Sequence, residues 1–166
     1  MIENVCYQDH DHKRETFARV TVPSIFAAAR AGVAEPALHE WLNFHGVLGA
    51  PRGLSQLRAL HETARGSRYV PGPRGCDSIL DVSTVIDQGG DCDNWAAVLL
   101  AAAAAMGYPA RLHAFGTARD PHEHVAVAVF WAGAWRYLDA KGDQEGEEFL
   151  QRPRGFSQET VYAWNA

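Results

Sequence analysis

Residues 95–106 (WAAVLLAAAAAM) constrain this chain more than any other stretch. The run carries no charged side chain, and alanine has the best helix propensity of all residues. It is too short to span a bilayer, which takes about 20 residues, so it reads as a helix of a folded domain. Gly89-Gly90 gives a turn signal before it, and Asp91-Cys92-Asp93 makes an acidic helix start. Gly107 stops it, with Pro109 just beyond. Three strands follow, at 110–115 (ARLHAF), 124–131 (HVAVAVFW) and 134–138 (AWRYL). The second is the clearest, because Val125, Val127 and Val129 repeat with period two. The short Ala132-Gly133 link makes the last two a hairpin.

The first third reads as mixed. Residues 16–22 (TFARVTV) alternate and predict a short strand. Residues 24–31 (SIFAAARA), after Pro23, predict a serine-capped helix that Gly32 ends. Residues 36–44 and 54–65 predict two more helices, parted by the breaker group at 46–53. The segment 69–75 (YVPGPRG) must be irregular. Helices, then one long helix, then an antiparallel sheet define an α+β domain. The chain reads as one domain over 1–166, with a helical N-terminal part at about 1–68 and a core at about 69–166.

A formal net charge of -5 argues against a nucleic-acid partner, which calls for a basic excess. The N-terminus MIENVCYQDHDH has no apolar run of the kind a secretory signal carries. These features predict a cytoplasmic protein with no membrane partner. Three cysteines, Cys6, Cys76 and Cys92, do not make a disulfide framework. Three reduced thiols are the simplest reading, with Cys6 and Cys76 as packing residues. One bridge with one thiol left over, Cys76–Cys92 included, stays open.

Cys92 is the cysteine placed for chemistry. A thiol attacks as thiolate, and its free pKa is ~8.5. The first turn of a helix favours an anion through unpaired N–H groups and the helix dipole. The same N–H groups suit an oxyanion. Asp91 and Asp93 oppose a thiolate, so a protonated histidine partner has to outweigh them, and one of the two acids suits a helix cap. A nucleophilic cysteine needs a base, and the base an orienter. His10 and His12 sit in a polar tract, and His39, His45 and His61 fall on N-terminal helices expected at the surface. His113, His122 and His124 remain. A hairpin turning at 132–133 sets residues whose numbers sum to about 265 opposite one another. His124 and Asp139 sum to 263, which makes them near neighbours and lifts His124 over the other two. The five tryptophans read mainly as core, and 143–148 (DQEGEE) as a solvated loop.

Gly90-Asp91-Cys92-Asp93, Gly107-Tyr108-Pro109-Ala110-Arg111, His124-Val125 and Trp135-Arg136-Tyr137-Leu138-Asp139 occur in this order. Together with Tyr69-Val70-Pro71, they resemble the transglutaminase-like superfamily of cysteine enzymes over roughly residues 69–140. The resemblance implies a papain-like α+β fold and a catalytic triad of Cys92, His124 and Asp139. It points to the small bacterial or phage members, whose reactions are diverse. Asn94 departs from the pattern, standing where many members have a second aspartate, and so does Ala140, in the place of a frequent proline. Neither removes a triad atom.

The expected reaction is acyl transfer or hydrolysis of an amide in a protein or peptide substrate, through a thioester and without cofactor or metal. The Cys92 N–H supplies one oxyanion donor, with Tyr69 and Gln88 as candidates for the second. An inactive binding or structural module of the same fold is the alternative. A zinc site drawn from Cys92, His122, His124 and an aspartate has suitable ligand types but no paired CxxC or HExxH.

Overall fold

The computed structural model describes residues 3–7, 10–72, 75–120, 122–141 and 151–164. The acidic stretch 143–148 and the side chains of His10 and His12 lie outside what is described. Strand β1 (Glu3–Cys6) is followed by α1 (His10–Thr16), a π-helical turn (Phe17–Thr21), α2 (Val22–Gly32), α3 (Pro36–Phe44) and α4 (Leu54–Gly66). Then come β2 (Cys76–Ile79), α5 (Val82–Gln88), α6 (Cys92–Ala105), β3 (Ala110–Gly116), β4 (His124–Trp131), β5 (Ala134–Leu138) and β6 (Gln158–Ala163). The fold class is α+β.

The apolar run is α6, and its composition follows from its position. One side packs on β3 and β4, while α2, α3 and α5 cover the others. Every residue from Asp93 to Ala103 is buried. A helix enclosed on all sides has no use for a polar stripe. At its far end Arg52 donates to the carbonyls of Met106 (2.7 Å) and Gly107 (3.0 Å), satisfying acceptors that a helix C-terminus leaves open. Buried residues from Phe17 to Trp164 form a continuous core around it. Trp41, Trp95 and Trp164 are buried there, and Trp131 and Trp135 are half-buried.

The main sheet is antiparallel in the order β5-β4-β3-β6. The β4–β5 hairpin has the register read from the sequence, with Val127 opposite Leu138 and Trp131 opposite Ala134. β1 and β2 form a separate two-stranded ribbon.

Three expectations need correction. Residues 16–22 are helical rather than a strand. Phe17, Thr21, Ile25 and Ala29 are all buried, a helical stripe that the local alternation conceals. Ser24 is not a cap, because the helix already begins at Val22 with Pro23 in its first turn. The cysteines also differ from three reduced thiols. Cys6 and Cys76, paired across the β1–β2 ribbon, form a disulfide, and Cys92 is free. Neither bridged cysteine is buried. Disulfides persist mainly in oxidising compartments, which tells against the cytoplasmic location expected from the sequence. No helix among the described residues is long and apolar enough to cross a membrane.

Candidate active site

Cys92 opens α6 beside a cavity of about 430 Å³. Gly89 and Gly90 lead into α6. Tyr69 and Gly90 form a parallel bridge, in which the Val70 N–H donates to the Gly90 carbonyl at 2.9 Å. Asp91 is the N-cap, and its carboxylate accepts from the Asn94 N–H at 3.3 Å and from the Asn94 side-chain amide at 2.7 Å. The Asn94 carbonyl oxygen in turn accepts from the Leu80 N–H at 2.8 Å. The departure at Asn94 therefore has a structural account. An ionised aspartate has no donor for Asp91, whereas the amide gives to Asp91 and takes from Leu80 at once.

His124 begins β4 and is buried. Its Nε2 lies 2.6 Å from Asp139 Oδ2. The other carboxylate oxygen of Asp139 accepts from the Lys141 N–H at 2.9 Å. The His124 ring stacks on Phe156, with centroids 5.9 Å apart, and more distantly on Phe115. These contacts fix its plane. Its Nδ1 is buried with no hydrogen-bond partner. Cys92 and His124 line the same cavity, together with Tyr69 and Val125. The Val125 backbone and the Tyr69 hydroxyl both lie against Cys92. Burial raises the Tyr69 phenol, which keeps it protonated and able to donate.

The other sequence candidates separate. His122 is buried on the same cavity, stacked on Phe17 at 4.3 Å, and its Nε2 lies 3.5 Å from the Tyr162 hydroxyl. It has no carboxylate orienter like the one His124 has in Asp139. His113 sits on β3 in a network with Glu159 and Arg111, away from the cavity lining. Gln88 is exposed at the end of α5 and does not line the cavity. His61, expected at the surface, is buried, and its Nδ1 faces the Asp139 N–H at 3.5 Å. Burial pulls it down to about 4, so it stays neutral. No three metal-ligating side chains converge among the described residues, so the zinc ligands are not brought together.

The electrostatics depart from the expected thiolate–imidazolium pair. Burial pushes the Cys92 thiol well above its ordinary value, and Asp93 and Asp91 push the same way. Burial also raises Asp91 and Asp93 toward their neutral forms, in which they do not repel a thiolate. Cys92 is half-buried by its accessible surface, and the enclosure of its sulfur favours the thiol over the thiolate.

An acidic wall adjoins it, which sequence reasoning missed because its members are far apart in the chain. Asp77 accepts from Tyr7 and, at 3.1 Å, from Thr21, and it shares a hydrogen bond with Asp93. Burial, then the charges of Asp91 and Asp120, raise Asp77 to about 7. A carboxyl raised in the folded state contributes stability below its unfolded pKa near 4 and loses it as pH rises through 7. Asp77→Asn, which mimics the protonated form, is expected to stabilise the fold by about 2 kcal/mol at pH 8 and by almost nothing at pH 4. Urea unfolding at the two pH values checks this. An equal shift at both would mean that Asp77 does not titrate in this range.

No family model and no curated relative matches the chain. Among solved structures it is similar to a crystal structure of a TGase, with a TM-score of 0.48 and 16% identity over 88% of this chain and 42% of that one. The chain thus spans less than half the length of that protein. The sequences are too far apart for the likeness to extend to residues or reactions.

Proposed function

We propose that this protein is a cysteine-dependent acyl transferase or hydrolase acting on an amide in a protein or peptide, with Cys92 as nucleophile, His124 as base and Asp139 as orienter. The observation that carries this reading is the His124–Asp139 hydrogen bond through Nε2, which leaves Nδ1 buried and unpartnered on a residue that lines the same cavity as Cys92. Asp139 fixes the tautomer by accepting a hydrogen bond from Nε2–H, so Nδ1 is the basic nitrogen.

As the sulfur attacks the carbonyl carbon, His124 Nδ1 takes the thiol proton. The carbonyl electrons move to oxygen, where the Cys92 N–H and the Tyr69 hydroxyl donate. Tyr69 is preferred over Gln88 because it touches Cys92. Collapse expels the amine, which takes the proton from His124, and a thioester remains. Water completes hydrolysis, or a second amine completes transfer. The fold and the motif order read from the sequence both agree with a transglutaminase-like enzyme.

The test is intact-mass analysis after incubation with glutamine- and peptide-based acyl probes. A single adduct on Cys92 supports the reading, and its absence with every probe counts against it. One observation favours an inactive binding module instead, namely the raised Cys92 thiol. The two readings differ in pH behaviour. Simple alkylation of Cys92 is expected to rise only above the free-thiol value of ~8.5, because burial holds the proton on sulfur. Acylation by a probe is expected to proceed at pH 7, because His124 removes the proton during attack. If acylation follows the same alkaline profile as alkylation, His124 is not acting as base and the inactive module is favoured.

A further inference from the structure

The N-terminal segment forms a wall of the Cys92 cavity. Tyr7, Lys13 and Phe17 line it, and so do Gly75, Cys76 and Asp77 on the facing strand segment. β1 ladders onto β2 alone. Apart from that ladder, described side-chain ties hold this wall at few points. Tyr7 hydrogen-bonds to Asp77 and Thr21, and Lys13 pairs with Asp120 at 2.7 Å. A further tie is covalent, the Cys6–Cys76 disulfide, whose Cys6 side is exposed. β2 is anchored by Ile79 in the core and by packing on α6 and α2. β1, by contrast, has only its pairing with β2, and a two-stranded pairing is marginal by itself, so the disulfide fastens the β1 and Tyr7 side of the wall.

We propose that the Cys6–Cys76 disulfide is a reducible clamp, opened by a dithiol reductant, that controls access to Cys92. The exchange balances. A thiolate of the dithiol attacks the exposed Cys6 sulfur, the S–S bond breaks, and Cys76 leaves as a thiolate that takes a proton. The second thiol of the reductant then displaces Cys6 from the mixed disulfide. Two electrons and two protons pass to the protein, and the reductant becomes a disulfide. With the clamp open, β1 and Tyr7 withdraw from Asp77, and water enters beside Cys92. Cys92 is half-buried with the clamp closed, and a more fully hydrated thiol ionises more easily. The inference concerns access to Cys92 and holds whether or not the triad turns over.

The experiment compares the wild-type protein with its reduced form, made with dithiothreitol and freed of it by desalting under argon. Both are treated with iodoacetamide at pH 7, and the Cys92 peptide alone is followed by mass spectrometry. Reduction is expected to speed its alkylation by on the order of tenfold, the effect of about one pKa unit, and to speed amide hydrogen exchange over 3–7 and 75–79. The double variant Cys6→Ser/Cys76→Ser is expected to match the reduced form, and reoxidation of the wild type to reverse it. An unchanged or slower Cys92 rate overturns the proposal. So does loss of a cooperative thermal transition on reduction, which makes the bridge a staple of the whole fold. Failure of acyl probes on both forms sinks the catalytic reading instead and leaves the alkylation ratio intact.

Discussion

Cys92→Ala is expected to abolish covalent acylation altogether, while His124→Ala lowers the acylation rate at pH 7 by on the order of 10⁴. The alanine at 92 removes only a sulfur at a cavity wall, so its thermal midpoint stays near that of the wild type. The loss at His124 is large because the resting thiol keeps its proton. Burial holds it there, and without the Nδ1 base attack must wait for spontaneous ionisation. Asp139→Asn is expected to cost less. The single amide oxygen can accept from His124 Nε2–H or from the Lys141 N–H but not from both, and in the orientation that serves Lys141 the NH2 donates to Nε2 and favours the wrong tautomer. Rates from an activated-ester probe, read by mass shift across pH 6–10, rank the three variants. If His124→Ala acylates like the wild type at pH 7, the base lies elsewhere. His122, on the same cavity, is then the next residue to replace.

Much of this arrangement is legible in the sequence because it is local. The β4–β5 hairpin follows from alternating valines and a two-residue link, and its register sum of 265 places Asp139 near His124 without any model of the tertiary fold. The start of α6 follows from Gly89-Gly90, the acidic cap and the alanine run. What escapes the sequence depends on distant partners. β6 (QETVYA) is largely exposed and polar along the sheet edge, so it lacks the apolar alternation that marks β4. The β1–β2 ribbon joins segments separated by 70 positions at its disulfide. His61 looks like a surface residue of α4 until Asp139 comes to face it. The Asp77–Asp93 pair likewise has no sequence signal, since two ordinary aspartates become a titrating pair only when burial brings them together.

The turn before Cys92 is where local sequence and catalytic geometry meet. Gly89→Ala is expected to destabilise the protein by about 3 kcal/mol and to disturb the cysteine more than its own position would suggest. Gly89 has φ 85° and ψ 176°, a conformation essentially reserved for glycine. A Cβ there would also lie 2.5 Å from the Arg68 carbonyl oxygen, a backbone atom with little room to yield. Relief requires separating the two segments that form the Tyr69–Gly90 bridge. That movement carries the Tyr69 hydroxyl away from Cys92 and loosens the entry into α6, so an oxyanion donor and the nucleophile shift together. Denaturant unfolding measures the stability loss. Acylation of the folded fraction, measured at 15 °C, reads the second effect and is expected to fall at least tenfold, because losing one oxyanion donor alone costs about 10²-fold or more in other enzymes. A variant that loses stability but acylates at the wild-type rate would mean that Tyr69 plays no part in the oxyanion site.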